Sequence, residues 1–140
     1  MGAWAMGPYG NDVAQDWAED LHESNDLYFI GDTLDNVLST ENGDYLDAPF
    51  GEEGLAAVET LLRLEGRGGP KDDDSATIDA WVDVVKAQYK PRADLLEKAG
   101  RAIDLILSER SELRELWQDS EHFDAWRAAV EDQKTRLQGK

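Results

Sequence analysis

A chain of 140 residues, 41% hydrophobic and 32% charged, is long and apolar enough to bury a core as one domain over 1–140 without disulfide or metal. It contains no cysteine, which excludes disulfides, thiolate zinc and a cysteine nucleophile, and no apolar run approaches the roughly 18 residues of a membrane span. A net charge of −17 disfavours nucleic acid backbones and anionic lipid surfaces, and the start lacks a signal-peptide pattern, so the expected location is the cytoplasm.

The first ten residues, punctuated by Gly2, Gly7, Pro8 and Gly10, read as a non-helical arm whose aromatics Trp4 and Tyr9 need somewhere to pack. Trp4 either plugs the bundle or reaches a partner. Asn11 is a good N-cap, and Val13, Ala14, Trp17 and Leu21 follow at helical spacing, predicting a first helix up to about Ser24. Leu27, Ile30, Leu34, Val37 and Leu38 define a second helix that stops near Asn42-Gly43. A loop with Tyr45, Pro49 and Phe50 follows, in which a short strand is an alternative. Gly51-Glu52-Glu53 opens a third helix with carboxylates in its first turn, where the macrodipole favours them, and Gly66 caps its end.

Arg67 to Ser75 joins a Gly-Gly-Pro breaker to three aspartates and reads as an exposed loop. Ile78, Trp81, Val82, Val85 and Tyr89 form the cleanest helical stripe in the chain. Pro91 suits the first turn of a fifth helix facing inward through Leu95, Ala99, Ala102, Ile103 and Ile106. A short helix holds Leu113, Leu116 and Trp117. Ser120 caps a last one carrying Phe123, Trp126, Val130 and Leu137. The expected fold is therefore all-α, an irregular bundle of six or seven helices with a non-helical N-terminal arm.

Charge is unevenly distributed. From Met1 to Leu62 there are 14 carboxylates and no Lys or Arg, whereas the rest of the chain carries 17 acidic and 14 basic residues. Two readings are open: basic residues of the second part neutralise the first internally, or the first part is a docking face for a basic partner. Helix 1 concentrates the question. Asp12 and Asp16, Asp16 and Asp20, and Glu19 and Glu23 each stand four residues apart, and each such like-charge pair costs an isolated helix about 0.2–0.5 kcal/mol. Some cation must lie opposite: a basic residue of the same fold, a basic partner, or a metal ion. Glu52, Glu53 and Glu59 could join Asp12 or Asp16 in an oxygen-rich cluster suited to a hard cation, although no spacing demands it. The acid-before-base pairs Glu59–Arg63, Asp94–Lys98, Glu97–Arg101 and Asp132–Arg136 are expected on solvated helix faces.

Other chemistry finds little support. Asp72-Asp73-Asp74 imitates the start of a calcium loop, but the sixth position is Thr77 and the twelfth Asp83. His22 and His122 belong to no HExxH motif, the serines fall at helix ends and loops, and neither GxSxG nor a P-loop occurs. No catalytic residue, metal ligand or cofactor site is identified. Trp17, Trp81, Trp117 and Trp126 fall on apolar stripes and are expected in the core.

The opening block, with Gly2, Ala3, Trp4, Gly7, Tyr9, Asn11, Asp12, Ala14, Asp16 and Trp17, resembles the start of an uncharacterised bacterial family, domain of unknown function 4259. Two further blocks are similar to that family, Tyr45 to Pro49 followed by Gly51-Glu52-Glu53, and Ser111 to Trp117. Ala5 stands where the family usually has Gly, and Tyr9 where Phe is commoner. The resemblance implies one compact domain and supplies no catalytic residues.

The leading expectation is a non-enzymatic interaction module, inhibitor-like or immunity-like, that binds a basic protein partner. Asp12, Asp16, Glu19, Asp20 and Glu23 would form its face, with Tyr45, Glu52 and Glu53 as a second cluster. The alternative is a metal-dependent hydrolase built on carboxylates of helices 1 and 3.

Overall fold

The computed structural model describes residues 8–24 and 26–138. Seven α-helices occur among them: α1 (Asp12–Leu21), α2 (Tyr28–Leu38), α3 (Ala48–Leu64), α4 (Ala76–Val85), α5 (Ala93–Ile106), α6 (Glu112–Gln118) and α7 (Phe123–Leu137). A 3₁₀ turn, Lys86–Gln88, follows α4. The only extended pairing among the described residues is one parallel bridge between Leu46 and Ser111, which places a trace of strand in the loop before α3. The arm's residues 1–7, Trp4 among them, lie outside the described residues.

α3 is the axis of the fold and packs against each of the other six helices. Its sequence explains this position, because small and apolar residues occupy every side of the run from Gly54 to Leu62, and a helix apolar all round belongs inside. Gly54 permits the closest approach: a Cβ there would stand 2.9 Å from Val37 Cγ2 and 3.2 Å from Ile106 Cδ1, so α2 and α5 press on α3 backbone. The helix ends in a Schellman motif. Arg67 N–H donates to the Leu62 carbonyl at 2.8 Å and Gly66 N–H to that of Arg63 at 3.1 Å, with Gly66 at φ +77°.

Several boundaries differ from the sequence expectation: α2 ends at Leu38, Tyr89 lies beyond the end of α4, and the N-cap of α7 is His122 rather than Ser120. α1 stops at Leu21, because no basic residue serves its last turn and the Ser24 carbonyl is taken by Trp81 Nε1–H at 2.6 Å, so Glu23 sits in the following turn. α3 begins at Ala48, with Pro49 inside its first turn, where a missing N–H costs nothing. Its N-terminus is capped from a distant element, Ala48 N–H donating to Glu112 Oε1 at 2.7 Å, so Glu52 and Glu53 fall in the second turn. Pro91 precedes α5, whose N-cap is Arg92.

The stripes expected to face inward do so for Trp17, Trp81, Trp126 and the five named residues of α5, all buried. Leu116 is the exception, 57% exposed, and Trp117 is half-buried beside it. Tyr9 is buried, its hydroxyl 2.8 Å from Thr60 Oγ1 and its ring under the Arg63 guanidinium at 5.6 Å.

Candidate functional site

α1 lays Ala14, Trp17, Ala18 and Leu21 against the core and turns its carboxylates outward. Asn11 starts it by accepting from Ala14 N–H at 2.8 Å. Trp17 fixes its rotation, stacking on Phe29 at 5.3 Å and donating from Nε1 to Thr33 Oγ1 at 2.7 Å. Asp12, Asp16, Glu19 and Asp20 are therefore all exposed on one helix, and Glu23 is exposed in the turn beyond. No described Lys or Arg nitrogen lies within 4.0 Å of any of these five carboxylates. His22, on the same helix end, donates from Nε2 to the Thr77 carbonyl at 2.6 Å and so ties α1 to α4.

α3 brings two more acids to this face. Burial beside the core pushes the Glu52 carboxyl above the usual carboxylate range, and the negative charge of Asp12 pushes it further. Glu53 is raised in the same way, by burial and then by Asp20. The expected meeting of the two helices thus takes place as two like-charged pairs, Asp12 with Glu52 and Asp20 with Glu53. A metal needs more ligands than such a pair, and among the described residues no group of three His, Asp or Glu side chains converges.

Internal neutralisation occurs elsewhere. Among the first 62 residues Asp35 is met by Lys98 at 2.8 Å, Glu41 by Arg101, and Glu59 by Arg136 at 3.1 Å. Arg101 holds the Glu41 carboxyl below the usual range. Of the sequence-expected pairs within helices, Glu59–Arg63, Glu97–Arg101 and Asp132–Arg136 form. Asp94 instead turns to Arg92, at 2.7 Å, because Lys98 is occupied by Asp35.

Glu59 departs furthest from expectation. Its side chain is 1% exposed and is a buried centre rather than part of a carboxylate cluster or a solvated face. It accepts from Gly69 N–H at 2.7 Å, Gln133 Nε2 at 3.2 Å and Arg136 Nη1 at 3.2 Å, with Arg63 Nε at 3.6 Å. Arg63 continues to Asp79 Oδ1 at 3.0 Å. A cavity of about 230 Å³ opens over this centre between Tyr9, Leu55 and Val130. The sequence held one signal for it, a lone acid in the apolar run Leu55 to Leu62.

Tyr45 does not join the α1 acids. It is 49% exposed and its hydroxyl donates to Glu115 of α6, a bond to a carboxylate that, with burial and neighbouring charge, pushes the phenol up to about 12. The loop before α3 is held to α6 throughout: Leu46 N–H donates to the Arg110 carbonyl at 2.8 Å, Glu112 N–H to the Leu46 carbonyl at 2.9 Å, and Gly51 packs on Leu113. A groove of about 580 Å³ lies alongside, with Glu52 on one wall and Leu116 and Trp117 on another. Sequence reasoning missed it, since Leu116 and Trp117 read as core.

Among the described residues, an arrangement of six helices around a largely apolar seventh defines an all-α bundle protein. The chain belongs to the uncharacterised bacterial family named domain of unknown function 4259 (DUF4259), whose family model matches residues 2–129. No curated protein and no solved structure matches it significantly. Among the described residues no helix is long and apolar enough to cross a membrane.

Proposed function

We propose that the face formed by α1 and the start of α3 binds a basic protein partner, as an inhibitor or immunity-type protein covers a cationic enzyme. The observation that carries this reading is the contrast in compensation: Asp12, Asp16, Glu19 and Asp20 stand exposed with no described cation within reach, while Asp35, Glu41 and Glu59 each have one. Like charges stacked along a helix are locally unfavourable, and the carboxyls of Glu52 and Glu53, raised first by burial and then by Asp12 and Asp20, add charge to the same face. A cationic surface laid on this face would relieve it, and the field of so many uncompensated charges would speed the encounter.

Salt capture supplies the test. The immobilised protein and the variant Asp16→Asn/Glu19→Gln/Asp20→Asn are exposed to lysate of the source cell at ionic strengths of about 0.05 M and about 0.5 M. A basic protein retained by the wild type at low salt, released at high salt and lost from the variant is the expected result. Recovery of only acidic or neutral proteins, or retention indifferent to salt and to the substitutions, removes the reading.

A further inference from the structure

We propose that the groove between the start of α3 and α6 seats an apolar side chain that a protein partner presents between lysines or arginines. The proposal rests on the acidic-face reading and gives that face an anchoring point. The groove floor is apolar and stands open: Leu113 lies at its base, and Leu116 is 57% exposed although it occupies the inward phase of a short helix. Its wall is rigid. Trp117 stacks on the buried Trp126 at 6.2 Å with the rings only 10° from parallel, and Phe123 backs Trp126 at 6.1 Å. The open groove, about 580 Å³ in volume, with an apolar patch of Leu113, Leu116 and Trp117 among polar neighbours, falls within the range of about 300–1,000 Å³ typical of ligand sites.

The rim decides what kind of partner fits. Glu52, Asp119 and Glu121 border the slot, and no Lys or Arg lines it. Phosphate-rich partners are repelled by such a border, whereas a cationic segment with one apolar residue satisfies both parts of it. Glu52, which borders the groove, stands on the helix that packs against α1. One bound segment can therefore place its anchor in the slot and its flanking cations against Glu52 and the outer face of α1. An apolar centre within a charged rim is the usual distribution of energy in a protein interface, in which a few buried anchors dominate.

Three fluorescein-labelled peptides of equal length test this by anisotropy titration: oligolysine, oligolysine with one central tryptophan, and oligoserine with the same tryptophan. The tryptophan-containing lysine peptide should bind about tenfold more tightly than plain oligolysine, the size of one anchor residue. The oligoserine peptide should bind far more weakly than either. Leu116→Ser, a change at an exposed position, should erase the tenfold preference while leaving the thermal melting curve and the affinity for plain oligolysine unchanged. Equal binding of the two lysine peptides, or a preference that survives Leu116→Ser, overturns the groove proposal and leaves the acidic-face reading standing. Binding of the oligoserine peptide as tight as that of its lysine counterpart overturns the cationic part and with it the proposal. If neither lysine peptide binds, the acidic-face reading fails first and the anchor site falls with it.

Discussion

Glu52 and Glu53 share a helix with Glu59, within two turns of one another, yet the molecule treats them oppositely. Glu59 is enclosed and matched by two guanidinium groups, an amide and a backbone N–H. Glu52 and Glu53 are half-buried without a cation, and burial first and the charges of Asp12 and Asp20 second raise their carboxyls. The difference teaches that an acid's depth along α3, and not its helix face, decides whether it serves the fold or works against it, since Glu52 and Glu59 stand seven residues apart in nearly the same phase. A stable domain can carry such a liability only because the rest of α3 is so thoroughly buried.

The comparison can be broken by substitution. Glu59→Ala should have the largest effect, a loss of about 3–5 kcal/mol in urea unfolding, because it leaves buried guanidinium groups without their counter-charge. A loss below about 1 kcal/mol would falsify the assignment of Glu59 as the organising centre. Gly54→Ala comes next, at about 1–3 kcal/mol, since the new methyl must displace Val37 and Ile106. An unchanged midpoint would mean that α2 and α5 do not depend on that close approach. Arg136→Met should cost less than Glu59→Ala in the same measurement, because Arg63, Gln133 and Gly69 still hold the carboxylate.

Glu52→Gln and Glu53→Gln should act in the other direction, each stabilising the native state by about 0.2–0.5 kcal/mol at neutral pH, by removing a half-buried charge and, second, its repulsion from Asp12 or Asp20. The pH dependence follows from the raised carboxyls. The native state holds these protons more tightly than the unfolded chain, so their penalty is fully present above the native values and disappears as pH falls through them towards the unfolded glutamate value of about 4.3. The advantage of the double variant in thermal midpoint should therefore vanish at about pH 4 and below. An advantage that persists there assigns the gain to something other than charge. Glu41 has the opposite sign, since its lowered carboxyl adds stability that is lost as pH falls through its native value.

Much of the fold was legible because apolar spacing along a helix reports which face is buried, whatever it is buried against. The stripe of α5 could be read residue by residue and those of α1, α2 and α4 in their central residues, and so could the Asn11 cap and the Gly66 stop. The exposed α1 acids were legible for the same reason. Glu59 was not, because an i,i+4 pair with Arg63 looks the same on a wet face as in a core. Leu116 and Trp117 misled in the reverse sense: α6 is only seven residues long, and so short a helix does not reach cover for every apolar residue it carries.

The sequence by itself determined the all-α class, the inward faces of most helices and a stretch from Met1 to Leu62 that carries acids but no Lys or Arg. These are properties of neighbours in the chain, fixed by backbone periodicity and composition. The tertiary structure alone decided which acids would be matched, sending Glu59 into a basic cradle and setting Glu52 and Glu53 beside Asp12 and Asp20. It also decided that the loop at Leu46 and the helix starting at Glu112 would meet and leave a groove between them. Partners separated by tens of residues are chosen by packing geometry, and no local pattern carries that choice.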